Sequence, residues 1–495
     1  MGSSIKAAAG LALAIFAPQL APMLVGAGAS ATVLALTTAA ITLVGASISG
    51  SALAPDAGDI GGVDSYSGIK LQTQKSNINP VPEVYGYHRL AGNIVYQTTN
   101  AAVSNDDAAN GYNRDYWAII VMAGHTIEDI VKIFANDDEM TSLGSNKFKL
   151  EYVHIKWYDA SSTATNVQSI DFVTDTTGAT STGATLNLDS VDIPKDTAFL
   201  AVHQVFDGQQ NKNTQMANVA TEIKGKKIRT ITDASTISTV LTYSTNPVEI
   251  ALDLLTDGLS IADADIDISV FYQAKTDCDT YGWACNIALI QQANIQSIMQ
   301  DVLATCRGQI VHSDSKWKLK IDTKNQPTVV ALTNDDFINN SLNISMKGNR
   351  EIANKIVLKY INPTDQWLSA QVVKEDTDLQ DLDSQTLSKT LDIKGVTNQT
   401  QANQLAEITL NTMRYSEDVS GNRVKQTPLA ISFGTTVKNA DLEVGDVVSI
   451  NSDLLDRVRK FVILSTETDQ SGLIQITGRE YCETHYKNSS GSYLI

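Results

Sequence analysis

Histidine is the side chain most often used for proton transfer near neutral pH, and this chain has six histidines. No two of them stand at the H-x-x-x-H spacing that lets one helix face hold a metal ion. The chain also has no G-x-S-x-G stretch for a nucleophile and no glycine-rich phosphate-binding loop. We therefore predict no catalytic residues, no enzyme activity and a structural role for each histidine: His88, His125, His154, His203, His312 and His485.

Alternating carboxylates are a second pattern that could do chemistry, because carboxylate oxygens bind calcium. Asp263, Asp265 and Asp267 alternate as D-x-D-x-D, but the glycine and the closing glutamate of a calcium loop are missing. Alternation would place all three on one face of an extended segment, so the pattern predicts a solvated strand edge. A second acidic group is predicted to form a solvated turn: Asn136, Asp137, Asp138 and Glu139.

The four cysteines are spaced without a C-x-x-C pair and without a zinc motif. Buried or unreactive thiols are the favoured interpretation, and a Cys278–Cys285 disulfide is left open. The residue patterns therefore indicate neither a metal site nor a cofactor. The cysteines are Cys278, Cys285, Cys306 and Cys482.

Length and charge limit the classes of protein that the chain can represent. Its 495 residues predict two to four domains, and its 43% hydrophobic content can fill their cores. With 37 basic and 55 acidic residues the net charge is −18, which argues against a surface that grips nucleic acid. The same charge fits a channel through which DNA passes without binding.

Hydrophobic periodicity predicts a mainly β chain with α insertions, an α+β fold. The predicted strands are Asn93–Gln97, Tyr116–Ala123, Phe148–Trp157, Ala198–Phe206, Leu429–Phe433, Val447–Ile450, Phe461–Thr466 and Leu473–Thr477. The predicted helices are Pro247–Gly258, Ile287–Gly308 and Asn398–Arg414, and Gln309–His312 with Trp317–Ile321 is predicted to form a hairpin.

Changes in composition divide the chain into four predicted domains. Residues 1–58 form an apolar Ala/Gly-rich arm, and residues 59–245 form β-rich domains with a Ser/Thr/Gly-rich loop at 161–185. Residues 246–325 form an α-rich insertion, and residues 326–495 form a C-terminal β-rich domain.

The arm is unusual because Lys6 is its only charged residue before Asp56. Such a segment must be buried by protein, enter a membrane or be removed as a signal peptide. A second apolar stretch after Pro22, which a signal peptide does not need, argues against removal. Alanines every four residues would form a small-residue face for close helix packing, which favours burial in an assembly: Ala27, Ala31, Ala35 and Ala39.

A family resemblance begins at residues 79–96, NPVPEVYGYHRLAGNIVY. This segment resembles the V/I-P-x-x-Y-G-x-x-R-x-x-G-x-I-V signature of the J-like central tail hub proteins of long-tailed phages, also called tail tip attachment or host-specificity proteins. Gly124 and His125 depart from the next motif, where an acidic residue and a glycine are usual. Further similar segments follow in the family's order: 116–140, 246–255, 271–279, 298–319, 350–363, 401–410 and 442–450.

The resemblance implies a homotrimer at the tip of a phage tail, made in the host cytoplasm, with two similar β domains per chain. Its partners would be the distal tail protein, the tape-measure protein and other tail-tip proteins, with transient contact to the host envelope. The long receptor-binding extension of larger members is expected to be absent. The motif residues carried over are Pro82, Tyr85, Gly86, Arg89, Gly92, Asn246, Pro247, Asp253, Gly445 and Asp446.

Three functions are consistent with these observations. The first is a virion structural protein that closes the tail tube and opens for DNA ejection. The second is a membrane-inserting protein that acts through its apolar arm, and the third is a β-rich, polysaccharide-active enzyme. The position and symmetry of the chain in an intact particle would separate them.

Overall fold

The computed structural model describes residues 74–75, 80–101, 113–144, 146–150, 153–159, 170–171, 185–186, 197–207, 216–338, 341–346, 348, 351–468, 473–488 and 490–494. The predicted arm at 1–58 and most of the predicted loop at 161–185 lie outside these residues. The first strands are β1 (Gln74–Lys75), β2 (Glu83–Tyr85), β3 (Tyr87–Leu90), β4 (Asn93–Ala101), β5 (Asn113–Ala123), β6 (Ile127–Ala135), β7 (Asp138–Glu139), β8 (Thr141–Gly144), β9 (Lys147–Leu150), β10 (Val153–Tyr158), β11 (Ile170–Asp171), β12 (Thr185–Leu186), β13 (Ala198–Asp207), β14 (Val219–Asp233) and β15 (Thr236–Tyr243).

Shorter strands follow in the second half of the described chain. They are β16 (Ile287–Leu289), β17 (Gly308–Ser313), β18 (Lys316–Ile321), β19 (Thr328–Thr333), β20 (Asn343–Met346), β21 (Lys355–Asn362), β22 (Leu368–Glu375), β23 (Ser388–Asp392), β24 (Ser416–Glu417), β25 (Arg423–Val424), β26 (Leu429–Thr435), β27 (Val447–Asn451), β28 (Arg459–Thr468) and β29 (Ile474–Glu480). The predicted mainly β fold is therefore confirmed for this part of the chain.

Three helices lie in the middle of the described chain, and two more follow later. They are α1 (Pro247–Asp253), α2 (Ile268–Tyr281), α3 (Ile295–Ala304), α4 (Thr377–Asp383) and α5 (Gln399–Arg414). A π-helical turn, Leu254–Gly258, continues α1, and 3₁₀ turns lie at Asp263–Asp265, Asn334–Asp336, Val437–Asn439 and Glu483–Tyr486. The predicted helices that begin at Pro247 and after Asn398 are confirmed.

Two sheets form the N-terminal body. One has seven strands in the order β1-β4-β5-β13-β10-β9-β8, and the other has the order β15-β14-β6-β7 with β3 also paired to β14. In β5, three alternating residues belong to the core between the two sheets: Ala118, Ile120 and Met122. The residues between them, Ile119 and Val121, are also buried but do not belong to that core. Burial on both faces explains why β5 is a continuous apolar run.

The largest core lies under the helices and draws on distant parts of the chain. It contains Tyr85 from β2, Ile228 from β14, residues of α1, α2, α3 and α5, and Tyr486 near the C-terminus. Residues from three of the four predicted domains therefore share one core, and the predicted borders stay a proposal. Helix α5 packs on β21 and β22 of the three-stranded sheet β22-β21-β23.

The C-terminal sheet has six strands in the order β19-β27-β28-β29-β26-β20. Its own core includes Phe433 and Phe337, whose rings meet edge to face with centroids 5.0 Å apart. The hairpin β17–β18 precedes this sheet, as the sequence predicted.

Three sequence predictions are wrong in detail. The segment predicted as one helix from Ile287 begins as strand β16, because Ile287 pairs with Tyr85 of β2, and the helix starts only after Asn294 caps it. The acidic run at 263–267 is not extended, because it forms a 3₁₀ turn whose last aspartate caps α2. The run predicted as one strand at 148–157 is the hairpin β9–β10.

Candidate functional site: a junction of motif residues

The first motif segment meets helix α1 through one buried lysine. Lys226 of β14 donates from Nζ to Asp253 Oδ2 at 2.8 Å, Asp257 Oδ2 at 2.7 Å and Glu83 Oε1 at 3.1 Å. The Tyr85 hydroxyl donates to Asp253 Oδ2 and lies 2.8 Å from Glu83 Oε1 as well. We call these five residues the Lys226 junction.

Burial is confined to part of the junction, because Glu83 and Asp257 are 40% and 69% exposed. The side chain of Lys226 is 13% exposed and that of Asp253 is 8% exposed. Burial alone lowers the pKa of Lys226, but the carboxylates of Asp253 and Glu83 outweigh it, so the net pKa lies above its ordinary value. Burial, followed by the two carboxylates, also raises the pKa of Tyr85 well above its ordinary range. The lysine is therefore charged and the tyrosine neutral near neutral pH.

Gly86 lets β2 and β3 approach the middle of the chain. Its φ is +69°, and a Cβ atom there would lie 2.3 Å from Asn286 Oδ1 and 2.5 Å from the Cys285 carbonyl. The same Asn286 oxygen accepts from the Tyr87 backbone N–H at 2.7 Å. The motif glycine is thus required by both backbone conformation and space.

His125, at the position where the resembled motif has glycine, contacts β2 through its side chain. Its Nε2 accepts from the Val84 N–H at 2.9 Å, and its Nδ1 lies 3.0 Å from the Thr126 carbonyl. Nδ1 therefore carries the proton, and burial lowers the pKa of His125. The departure from the motif holds β2 in place by a neutral imidazole.

The remaining residues of the first motif are structural as well. Arg89 stacks on Phe134 with its guanidinium 4.2 Å from the ring centroid and pairs with Asp137 at 3.3 Å. Gly92 packs so closely on β5 that a Cβ atom would lie 2.4 Å from the Val121 carbonyl. The Pro82 carbonyl accepts from the N–H of residue 124 at 3.0 Å.

The second motif forms the start of α1. Asn246 Oδ1 accepts from the Val248 N–H at 2.9 Å, and Pro247 occupies the first turn, where its missing N–H costs nothing. The Asn246 amide donates to Asp279 Oδ1 at 2.8 Å on α2. The cap therefore also fixes α1 against α2.

The third motif, Gly445 and Asp446, does not reach the Lys226 junction. Asp446 Oδ1 accepts from Lys320 of β18 at 2.6 Å, and Gly445 has φ +87°. The neighbouring Glu443 pairs with Lys318 and Lys320, and despite burial these lysines lower its pKa to about 2. This loop therefore attaches the hairpin β17–β18 to the C-terminal sheet.

Trp367 makes a contact that sequence analysis missed. It lies at the tip of the β21–β22 hairpin with φ +62°, is 5% exposed, and donates from Nε1 to Glu222 Oε1 at 3.0 Å. Its ring lies 5.3 Å from Tyr87 and 5.0 Å from His88, measured between centroids. We call this contact the Trp367 latch. The only sequence feature that could have indicated this contact is a tryptophan after a turn. For Lys226, no sequence feature distinguishes it from its basic neighbours.

All four cysteines are free and buried, so the open Cys278–Cys285 disulfide is not formed. Among the described residues there is no cluster of His, Cys, Asp or Glu that could hold a metal ion. Within the same residues, no helix is long and apolar enough to cross a membrane. The predicted arm contacts fall outside the described chain: Ala27, Ala31, Ala35 and Ala39.

Comparisons with known proteins point to phage tails. Residues 294–466, about a third of the chain, match the model of the family described as "Putative phage tail protein". A search of curated proteins found no match. A chain from the virion of a native gene transfer agent particle is similar with a TM-score of 0.59 and 13% identity, and the alignment covers 90% of this chain and 94% of that chain.

Two further structures align less well. One is a tail protein from Neisseria meningitidis MC58, with a TM-score of 0.27, 9% identity and coverage of 81% of this chain and 95% of that chain. The other is prophage tail protein gp18 from Listeria monocytogenes EGD-e, with a TM-score of 0.26, 7% identity and coverage of 77% and 87%. The family match and the shared β-rich fold support the class of phage tail protein.

Proposed function

We propose that the chain is the central hub of a phage tail tip, which closes the tail tube before infection and opens for DNA ejection. The observation that carries the proposal is the similarity over 90% of this chain to a chain of a gene transfer agent virion, together with the tail-protein match at residues 294–466. The position at the tail tip and the homotrimeric state are proposed from the collinear motifs that resemble the hub family.

The contacts of the motif residues favour a structural role over catalysis. Asp253 accepts hydrogen bonds from Lys226 and from Tyr85, and Asp446 accepts one from Lys320. These side chains therefore hold sheets and helices together. We also propose that the hub has the four domains predicted from the sequence, at residues 1–58, 59–245, 246–325 and 326–495.

Cryo-electron microscopy of the intact particle tests the proposal. We expect three copies of the chain at the distal end of the tube, in contact with the distal tail and tape-measure proteins. One copy, six copies or a position along the tube would refute the hub role. Glycan hydrolysis by purified chain, abolished by a carboxylate-to-amide change, would instead support the polysaccharide-active alternative.

The net charge of −18 adds a proposal about the channel. A wall without clustered lysine or arginine lets DNA slide, because no counterions are released on contact. We expect the narrowest open section to be acidic or neutral. A ring of lysine or arginine side chains at that section of the particle would contradict this.

The apolar arm is proposed to be covered by its own copies and by the tape-measure protein before infection. Exposed apolar surface of that length would promote aggregation, so it needs a partner. A membrane-active role after opening rests on residues 23–53, which are long enough to cross a bilayer. An Ala39→Asp variant that assembles but fails to deliver DNA would support that role, and normal infection by the variant would exclude it.

A further inference from the structure

A cavity of about 380 Å³ lies at the C-terminal end of the fold, away from the Lys226 junction. The β24–β25 turn, the start of β28, the end of β29 and Tyr493 enclose it. Its volume falls in the range of small-molecule sites, which begins at roughly 300 Å³. Nothing in the proposed hub function uses this cavity.

Three of the four carboxylates of the cavity wall accept hydrogen bonds within the protein. Glu480 accepts from Arg459 and from the Leu429 N–H, and Glu417 accepts from the Thr484 N–H at 3.1 Å. Asp418 accepts from the N–H groups of residues 420 and 422. The fourth, Glu483, lies 3.9 Å from Lys460, and both of these side chains are exposed.

Two of the four cations of the same wall, Arg459 and Lys460, pair with carboxylates, whereas the other two do not. Arg457 donates to the Glu417 carbonyl, has no carboxylate within ion-pair distance among the described residues, and keeps a buried Nη1 without a hydrogen-bond partner there. Lys487 also has no carboxylate partner in this part of the chain, and its ammonium lies 4.8 Å from the Tyr493 ring centroid. Lys324 approaches the same ring at 4.4 Å. The wall thus carries four acidic and four basic side chains, and Arg457 and Lys487 are the two cations without an ion pair among the described residues.

Polar and apolar groups complete the lining. Thr484 is 4% exposed, and its hydroxyl has no hydrogen-bond partner among the described residues. Val419 and Val458 are exposed at the rim, beside the half-exposed ring of Tyr493. In a ligand with one oxyanion and a hydroxylated body, the oxyanion would contact the cations. The hydroxylated body would contact the valine rim and the Thr484 hydroxyl.

We propose that this cavity binds an oxyanion carried on a hydroxylated body of about monosaccharide size, such as a sugar phosphate or a sugar acid. The oxyanion lies between Arg457 and Lys487, and the body packs on Tyr493 and the valine rim. A charge-assisted contact of this type is about twice as strong as a neutral hydrogen bond, so the oxyanion carries most of the affinity.

Titration calorimetry on the full chain tests the proposal with glucose 6-phosphate, glucuronate, inorganic phosphate and glucose as probes. We expect both acidic sugars to bind, glucose not to bind, and inorganic phosphate to bind more weakly than glucose 6-phosphate. An Arg457→Gln, Lys487→Gln double variant should lose about tenfold or more in affinity, since it removes both charges. The matched control is Lys359→Gln, which removes an exposed lysine of β21.

Three outcomes would overturn the proposal. The first is no binding of either acidic sugar, and the second is unchanged affinity in the double variant when its melting temperature equals that of the wild type. The third is a neighbouring protein seated in the cavity in the intact particle. Equal affinity for inorganic phosphate and glucose 6-phosphate would show that the site does not recognise the sugar body, which contradicts the proposal. Failure of the hub role would leave the binding measurements on the purified chain unaffected.

Discussion

At the scale of single residues, the motif side chains join segments that are far apart in the chain. Tyr85 and Asp253 are separated by 168 positions and share a hydrogen bond of 2.8 Å. Lys226 turns that pair into a network of three carboxylates around one ammonium. Removing the cation from this network is costly, because the Asp253 side chain is only 8% exposed and would keep a buried charge without its cation.

Replacing Lys226 by methionine should therefore destabilise the protein strongly. The variant leaves Asp253 buried and without its cation, for which we expect a loss of about 3 kcal/mol in the free energy of unfolding. Denaturant unfolding followed by tryptophan fluorescence measures it.

The matched control is Lys132→Met, whose partner Glu139 is equally close at 2.9 Å. Both side chains of this pair are exposed, at 42% and 53%. Solvent screens such a pair, so the control should lose less than about 1 kcal/mol. Equal losses in the two variants would show that burial of the junction does not matter.

Gly86→Ala tests the close approach of β2 to residues 285–286. The added methyl group must accept φ +69° and also displace Asn286 Oδ1, which would be 2.3 Å away. Gly144→Ala is the control, because Gly144 has φ +78° and an added methyl group there would meet no atom within 4 Å. We expect about 1 kcal/mol for the control and clearly more for Gly86, from thermal unfolding. Equal shifts would mean that only the backbone angle matters.

His485 should make stability depend on pH. Burial and the charge of Arg479 lower its pKa from 6.5 to about 3, although its Nε2 donates to the Tyr415 carbonyl at 2.7 Å. The folded state therefore holds His485 neutral, while the unfolded chain takes up a proton near pH 6.5. The stabilisation is complete above pH 6.5 and is lost as the pH falls from 6.5 towards 3.

A His485→Gln variant removes this titration and keeps an amide donor for Tyr415. Unfolding free energies of both proteins should be measured across that pH window. The curve of the variant should fall less steeply with acid than that of the wild type, by up to about 1.4 kcal/mol for each pH unit. Parallel curves would show that His485 does not titrate on unfolding.

At the scale of elements, the Trp367 latch joins the three-stranded sheet to the N-terminal body. The β21–β22 hairpin ends in a left-handed turn that places the indole against Tyr87 and His88. Glu222 of β14 accepts from the indole N–H and from the Tyr87 hydroxyl, so its buried carboxylate is satisfied only when the latch is closed. The strain of the turn is offset by this contact.

Trp367→Ala should release the hairpin tip and leave Glu222 with one donor fewer. We expect a loss of about 3 kcal/mol or more and faster amide exchange in β3 and the adjoining part of β14. The control is Leu368→Ala, one residue further on and 39% exposed, which should change exchange little. Unchanged exchange in β3 after the tryptophan is removed would show that the latch does not couple the two bodies.

At the scale of the whole molecule, we propose that assembly depends on the arm, which lies outside the described residues. Its alanine face is proposed to bring three arms together on the axis of the trimer. Small residues every four positions allow helices to approach closely, and large ones hold them apart.

An Ala31→Phe, Ala35→Phe double variant should therefore block assembly of the particle. Electron micrographs and tail-protein content of purified particles measure the result. A Val33→Phe, Leu36→Phe variant places the same bulk off the alanine face and is the control. Normal particles from the alanine double variant would exclude the packing role of this face.

The sequence by itself determined features that depend on neighbouring residues. Asn246 with Pro247 and Asn398 mark helix starts because a cap is a hydrogen bond across two or three residues. The apolar run of β5 and the hairpin β17–β18 follow from patterns of similar range. The motif positions of the candidate site were also named from the sequence, although not the contacts they make.

Only the tertiary structure decided which segments meet. Ile287–Leu289 is apolar enough for a helix or a strand, and it became β16 because β2 offered an edge to pair with. Lys226 and Trp367 carry no local sign of their partners, since Asp253 and Glu222 reach them only after the sheets and helices have packed. Local patterns record hydrogen bonds within a turn, whereas contacts between distant segments depend on the arrangement of the whole chain.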